Sequence, residues 1–93
     1  MNFEWDEDKA EANLKKHKIS FEEAKTVFAD PFAITIVDPK NSIDENRYID
    51  IGASAGGKVI VVSYTERERQ IRLISCRKAA KNERKIYEER EKY

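Results

Sequence analysis

Four segments rich in Ile and Val occupy the middle of the chain and restrict it to folds that contain a β-sheet. These segments span residues 32–37, 47–53, 58–65 and 70–76. β-Branched residues favour strands because they pack well on a pleated surface. Ala55-Gly56-Gly57 and the charged stretch 66–69 lie between consecutive segments, which is typical of hairpins. The simplest arrangement is a four-stranded antiparallel meander.

Helical signals precede these strands. Phe3 and Trp5 alternate with acidic residues, which indicates a short first strand, and Asp6 can then cap a helix over 7–17. We expect that helix to bury a thin stripe of Ala10, Leu14 and His17. Ser20-Phe21-Glu22-Glu23 has the form of a capping box and opens a second helix, which Asp30-Pro31 should end.

A third helical pattern, from Lys78 to about Lys92, follows the last strand, with Glu83 on its inward stripe. At 93 residues the chain has room for one core. The sequence therefore predicts a single domain over 1–93 of α+β class: a short N-terminal strand, two helices, the four-stranded antiparallel meander and a C-terminal helix.

The net charge is zero but is unevenly distributed. Residues 1–50 hold seven Lys/Arg against twelve Asp/Glu, whereas residues 51–93 hold eleven against six. A basic second half favours nucleic acid or an acidic partner. The longest aliphatic run, 59–62, is far below the roughly 20 residues of a membrane helix. With no signal-peptide pattern and a single cysteine, a cytoplasmic protein without a membrane partner is expected.

The sequence predicts no cofactor and no metal site. One cysteine and one histidine argue against structural zinc. The glycines fit hairpins rather than a phosphate-binding loop at a strand-to-helix junction. Cys76, inside a strand, is interpreted as a small buried residue and not as a nucleophile.

A series of motifs is distributed over residues 3 to about 87. They include Phe3-Glu4-Trp5-Asp6, Asn13-Leu14, Lys16-His17, Ser20-Phe21-Glu22-Glu23-Ala24, Asp30-Pro31, Tyr64-Thr65-Glu66-Arg67, Ile71-Arg72-Leu73-Ile74-Ser75 and Arg77-Lys78-Ala79. Their order and spacing resemble the BrnT family of bacterial toxins. One departure is Cys76, where alanine is expected.

This resemblance implies a RelE-like fold and a ribonuclease that blocks translation. It also implies neutralisation by a BrnA-type antitoxin in a two-plus-two complex. That complex would repress its own operon, with operator DNA bound only through the antitoxin. The implied substrate is RNA.

RNA cleavage without a metal needs a base for the 2′-hydroxyl proton, cations for the crowded phosphate and an acid for the leaving oxygen. The candidate phosphate-stabilising cations are Arg67, Arg72 and Arg77, and Glu66 is the candidate base because it adjoins Arg67. The alternative for each arginine is a structural pair with a nearby glutamate. A noncatalytic module that binds RNA or antitoxin through the same arginines also remains open.

Further cations are candidate RNA contacts: Lys16, His17, Arg47, Lys78 and Lys81. His17 titrates near neutral pH and suits acid or base catalysis, but at a helix C-terminus it also stabilises the helix dipole.

Strand alternation separates two of the proposed catalytic arginines. In a regular strand Arg72 and Cys76 face one way, whereas Leu73 and Arg77 face the other. Arg72 and Arg77 can share a face only if a bulge or the strand end turns one of them. We expect Arg77 to turn at the entry to the last helix, where Glu83 either holds it or competes with RNA for it.

Overall fold

The computed structural model describes residues 1–38, 40 and 46–91 of the chain. Within these residues it contains the strands β1 (Asn2–Glu4), β2 (Ile34–Val37), β3 (Arg47–Ala53), β4 (Val59–Arg67) and β5 (Gln70–Lys78). The helices are α1 (Glu7–His17), α2 (Phe21–Lys25), which continues as a 3-10 helix over Thr26–Ala29, and α3 (Lys81–Glu91). No described helix is long and apolar enough to cross a membrane.

The strands form one mixed sheet in the order β1-β5-β4-β3-β2. The α+β class is confirmed, and β2 to β5 pair antiparallel as predicted. The four-stranded, purely antiparallel sheet is wrong, because β1 adds to β5 as a parallel fifth strand. Phe3 fixes β1 there by packing edge to face on Phe28, with ring centroids 5.1 Å apart.

The predicted helix over 7–17 is confirmed, and Asp6 caps it by accepting from the backbone of Asp8 and Lys9. The expected turn over 66–69 is wrong, because β4 continues through Arg67 and only Glu68 and Arg69 form the turn. Both have positive φ, 46° and 70°, as a two-residue type I′ hairpin requires.

The last helix also differs from its predicted bounds. It begins at Lys81 because β5 continues through Lys78. The predicted end near Lys92 lies outside the described residues.

The sheet has two faces, named here by the helices that pack on them. The α1 face carries the larger core, in which α2 and the 3-10 helix bury Phe21, Ala24 and Val27 against Ile60 and Leu73. The α3 face carries a smaller core. Its buried members are Ile51, Val61, Ala79 and Tyr87. The residues flanking this smaller core include Ala53 and Val59, so α3 packs near the β3–β4 hairpin.

α1 is joined to the sheet by a buried amide that the predicted stripe omitted. Asn13 is 7% exposed, whereas the predicted stripe residue Leu14 is 47% exposed. The Asn13 side chain donates to the Ile19 carbonyl at 3.1 Å and accepts from the Cys76 backbone N–H at 3.0 Å. Cys76 lies beyond the β5 residues that pair with β1. Asn13 therefore satisfies a strand N–H where the edge strand has ended.

α3 is tied to the opposite side of the molecule through one carboxylate. Tyr87 donates its hydroxyl to Asp30 Oδ2 at 2.6 Å, and the Ala53 backbone N–H donates to the same oxygen at 2.8 Å. Burial raises the pKa of Asp30, but these hydrogen bonds outweigh it and the pKa is lowered. The contact holds α3 at the hairpin end of its face.

Candidate functional site

A β-bulge in β5 decides which side chains share a face. Ser63 is paired with Ser75, but the next residue of β4, Tyr64, is paired with Leu73. Ile74 is therefore an extra residue, and the alternation of β5 is displaced by one position. Leu73 and Cys76 both lie in the core of the α1 face. The bulge consequently places Arg72 and Arg77 on the α3 face together.

Three arginines lie at the end of the α3 face that is away from the β3–β4 hairpin. Arg47 and Arg72 flank Thr65 from the two neighbouring strands, and Arg67 is two residues further along β4, on the same face. Adjacent strands lie about 4.8 Å apart, so the backbones at Arg47 and Arg72 are separated by about 10 Å. We call Arg47, Arg67 and Arg72 the arginine cluster. Guanidinium groups at this spacing can converge on a phosphate above Thr65.

Thr65 holds together the strands that carry the arginine cluster. The residue is 1% exposed, and its hydroxyl donates to the Asn46 carbonyl at 2.8 Å. This contact ties the start of β3 to β4 beside Arg47. The three arginine backbones therefore belong to hydrogen-bonded strands and not to a loop, which limits their movement when a ligand binds.

Glu66, the predicted base, lies on the other side of the sheet. It alternates with Arg67, and its neighbours on the α1 face are Tyr64 and Asp50. Burial raises the pKa of Asp50, with the charge of Glu66 adding to the effect. Burial, the hydrogen bond to Asp50 and the charges of Asp50 and Glu66 raise the pKa of Tyr64. The structure does not bring Glu66 and the arginine cluster together.

Arg77 shares the α3 face with the arginine cluster but is held at the start of α3. Its two terminal nitrogens donate to Glu83 at 2.8 and 2.9 Å, as expected for the glutamate on the inward stripe. The hydrogen bond that Arg77 donates to Glu83 raises the pKa of Arg77 and lowers the pKa of Glu83. Arg77 lies five positions beyond Arg72 along β5, about 15 Å away.

The remaining predicted contacts lie away from the arginine cluster. Lys16 and His17 occupy the last turn of α1, which packs on the α1 face. Lys78 ends β5 and Lys81 begins α3, and both are exposed. Of the five predicted RNA contacts, the structure places only Arg47 beside Arg67 and Arg72.

One residue near the arginine cluster was missing from the sequence-based candidates. Glu4 is in register with Arg72 across the parallel pair of β1 and β5, and its Oε1 lies 3.7 Å from Arg72 Nη1. Three residues of alternation at the N-terminus do not specify a pairing partner, so no local pattern indicated that Glu4 would lie beside β5. Its presence in the Phe3-Glu4-Trp5-Asp6 motif was the available signal.

Cys76 behaves as predicted for a buried residue. It is 1% exposed, and its sulfur contacts the Asn13 amide at 3.1 Å. Burial raises the pKa of the Cys76 thiol to about 11, which leaves little thiolate at neutral pH. Among the described residues, no group of three or more His, Cys, Asp or Glu side chains is arranged to hold a metal ion.

The fold and the arginine cluster define a small α+β protein that presents three arginines on one face of its sheet. The family model described as the ribonuclease toxin BrnT of type II toxin-antitoxin systems matches residues 5–83. The chain therefore belongs to the BrnT family of ribonuclease toxins. Membership implies an antitoxin partner and an RNA substrate.

A solved structure supports this assignment. The crystal structure of the Brucella abortus ribonuclease toxin BrnT is similar to this chain, with a TM-score of 0.65 and 25% sequence identity. The match covers 87% of this chain and 99% of the Brucella chain. No curated protein matches the sequence significantly.

Proposed function

We propose that this protein is a metal-independent endoribonuclease whose cleavage of RNA inhibits translation. We further propose that a BrnA-type antitoxin neutralises it. The observation that carries the proposal is the arginine cluster, in which Arg47, Arg67 and Arg72 surround Thr65 on the α3 face. Kinship with the RelE-like ribonucleases is part of the same proposal.

The chemistry of RNA cleavage explains why arginines suit this role. Attack of the 2′-oxygen on phosphorus adds negative charge to the nonbridging phosphate oxygens in the transition state. Guanidinium donors fixed on a sheet stabilise that charge without rearranging. Because the arginines supply positive charge at the phosphate, we propose that no divalent cation is needed there. Removing one such donor typically slows an enzyme by about 100- to 1,000-fold.

The test uses a labelled single-stranded RNA pool of random sequence in the presence of a chelator. We expect wild-type cleavage to persist and the Arg67→Ala and Arg72→Ala variants to lose about 100-fold or more in rate. Arg90→Ala is the matched control, because Arg90 is exposed in the last turn of α3. Activity that disappears with the chelator contradicts metal independence. Equal rates for all four proteins contradict the role of the arginines.

A noncatalytic module is the second candidate, because the same arginines can bind RNA without cutting it. Intact RNA after prolonged incubation, together with salt-dependent binding, selects this alternative. Lys78 and Lys81, exposed near Arg77, are proposed as further RNA contacts. The roles of Lys16 and His17 stay predictions.

For the antitoxin, we propose an acidic segment that covers the basic face, within a two-plus-two complex that binds operator DNA through the antitoxin. The charge balance of residues 51–93, eleven Lys/Arg against six Asp/Glu, supports an acidic cover. Reversing the charge of Arg67, Arg72 and Lys81 should weaken the complex, and added salt should do the same. A complex insensitive to both changes refutes this part of the proposal.

A further inference from the structure

The strands that the structure describes contain three carboxylates, and one of these three shares a face with the arginine cluster. These residues are Glu4 in β1, Asp50 in β3 and Glu66 in β4. Asp50 accepts from the hydroxyl of Tyr64, a core residue of the α1 face, at 2.8 Å. Glu66 alternates with Arg67 and also faces α1. Glu4 is left as the strand carboxylate on the α3 face.

Glu4 is placed at the arginine cluster by the packing of the residue before it. Phe3 packs into the core of the α1 face and on the Phe28 ring, so the next side chain must point to the α3 face. There Glu4 Oε1 lies 3.7 Å from Arg72 Nη1, and the Glu4 side chain is 37% exposed to solvent. The carboxylate is therefore both positioned and accessible to a ligand held by Arg72.

We propose that Glu4 is the catalytic residue that takes the 2′-hydroxyl proton of the RNA; this rests on the ribonuclease function proposed above. The 2′-oxygen forms a bond to phosphorus as its proton moves to the Glu4 carboxylate. The bond from phosphorus to the 5′-oxygen breaks, and that oxygen takes a proton from water. The hydroxide left behind is neutralised by the proton that Glu4 releases. The products are a 2′,3′-cyclic phosphate and a 5′-hydroxyl.

A purely structural ion pair is the alternative to this role. Ion pairs with this degree of exposure contribute little to stability, so a structural Glu4 predicts little effect on cleavage. A Glu4 that only orients Arg72 predicts a slower reaction with an unchanged pH profile. A proton acceptor predicts that the rate falls at low pH and that this dependence disappears with the carboxylate.

The deciding experiment compares Glu4→Gln with Glu11→Gln. Glu11 also forms an ion pair, with its carboxylate 3.6 Å from Lys15 Nζ in α1, so both variants remove one paired carboxylate, but only Glu4 lies beside the arginine cluster. Cleavage of the random RNA pool is measured across a pH series. Binding of a 2′-O-methyl RNA, which cannot be cut, reports whether the arginine cluster is intact. We expect Glu4→Gln to bind the 2′-O-methyl RNA normally and to cleave the random RNA pool about 100-fold more slowly or worse. The decrease in cleavage rate at low pH should disappear in this variant. Glu11→Gln should match the wild type.

The outcomes separate this inference from the function on which it rests. Cleavage by Glu4→Gln at close to the wild-type rate refutes the inference. A slower rate that still falls at low pH, as in the wild type, also refutes it. Loss of 2′-O-methyl RNA binding also refutes it, because Glu4 would then maintain the arginine cluster instead of accepting a proton. If the wild type leaves RNA intact, the ribonuclease proposal itself is refuted.

Discussion

Replacing Asn13 with leucine tests whether one amide holds α1 on the sheet. The two side chains have similar size, so the change removes hydrogen bonds more than it alters packing. Asn13 Nδ2 donates to the Ile19 carbonyl and Oδ1 accepts from the Cys76 N–H, both within 3.1 Å and both buried. In Asn13→Leu these two backbone groups lose their Asn13 partner without becoming exposed to water.

The expected magnitude follows from those two groups. Leaving a buried polar group unsatisfied typically destabilises a protein by about 1 to 3 kcal/mol. Two groups give about 2 to 6 kcal/mol, and burial of the leucine side chain returns about 1.5 to 3 kcal/mol. At the middle of these ranges we expect a net loss of about 2 kcal/mol in the free energy of unfolding. For a domain of this size that corresponds to a decrease of roughly 8 to 16 °C in Tm.

Urea unfolding followed by circular dichroism measures this loss. Asn82→Leu is the matched control, because Asn82 is exposed in α3, and it should change stability by less than about 0.5 kcal/mol. The reasoning is refuted if the two variants have the same midpoint at equal slope. That result would mean that water or a shifted backbone satisfies the groups that Asn13 contacts.

Two further predictions concern titration and charge. Burial raises the pKa of the Cys76 thiol to about 11 from 9.0, so the stability that the neutral thiol contributes is complete below the unfolded-state pKa and is lost as pH rises from 9 to 11. A disulfide reagent should therefore label Cys76 slowly in the native protein and rapidly in the urea-unfolded protein. Equal labelling rates contradict this prediction. For Arg77 and Glu83, whose side chains are 46% and 21% exposed, a double-mutant cycle of the two alanine variants should give about 0.5 to 1 kcal/mol of coupling that decreases in salt. Coupling that is unaffected by salt is inconsistent with a screened pair.

Local sequence signals predicted much of the fold. The bounds of α1 and β3 agree with the structure because capping residues and β-branched runs act over a few neighbouring positions. The turn at Glu68 and Arg69 was predicted too long, since it contains neither glycine nor proline to mark its limits. The stripe of α1 was predicted from hydrophobicity alone, so the buried Asn13 was missed.

The candidate site could be predicted only in part. The arginines were identified individually, and alternation left either a bulge or the strand end to bring Arg72 and Arg77 to one face. The expected turn of Arg77 at the strand end is wrong, because a bulge at Ile74 displaces the alternation instead, and nothing local in the sequence marks that bulge. Glu66 was favoured as the base because it adjoins Arg67 in sequence. In a strand, however, adjacent side chains point to opposite faces, so Glu66 and Arg67 lie on different sides of the sheet.

The sequence by itself determined the α+β class, most helices and strands and the supply of arginines, because these depend on residue type and short-range periodicity. Only the tertiary structure decided which charges meet. The parallel addition of β1 brings Glu4 to Arg72 from a position 68 residues away in the chain, and the bulge in β5 places Arg72 and Arg77 on one face. Both depend on pairing between distant strands. Such pairing is selected by the packing of the whole sheet, not by any one segment.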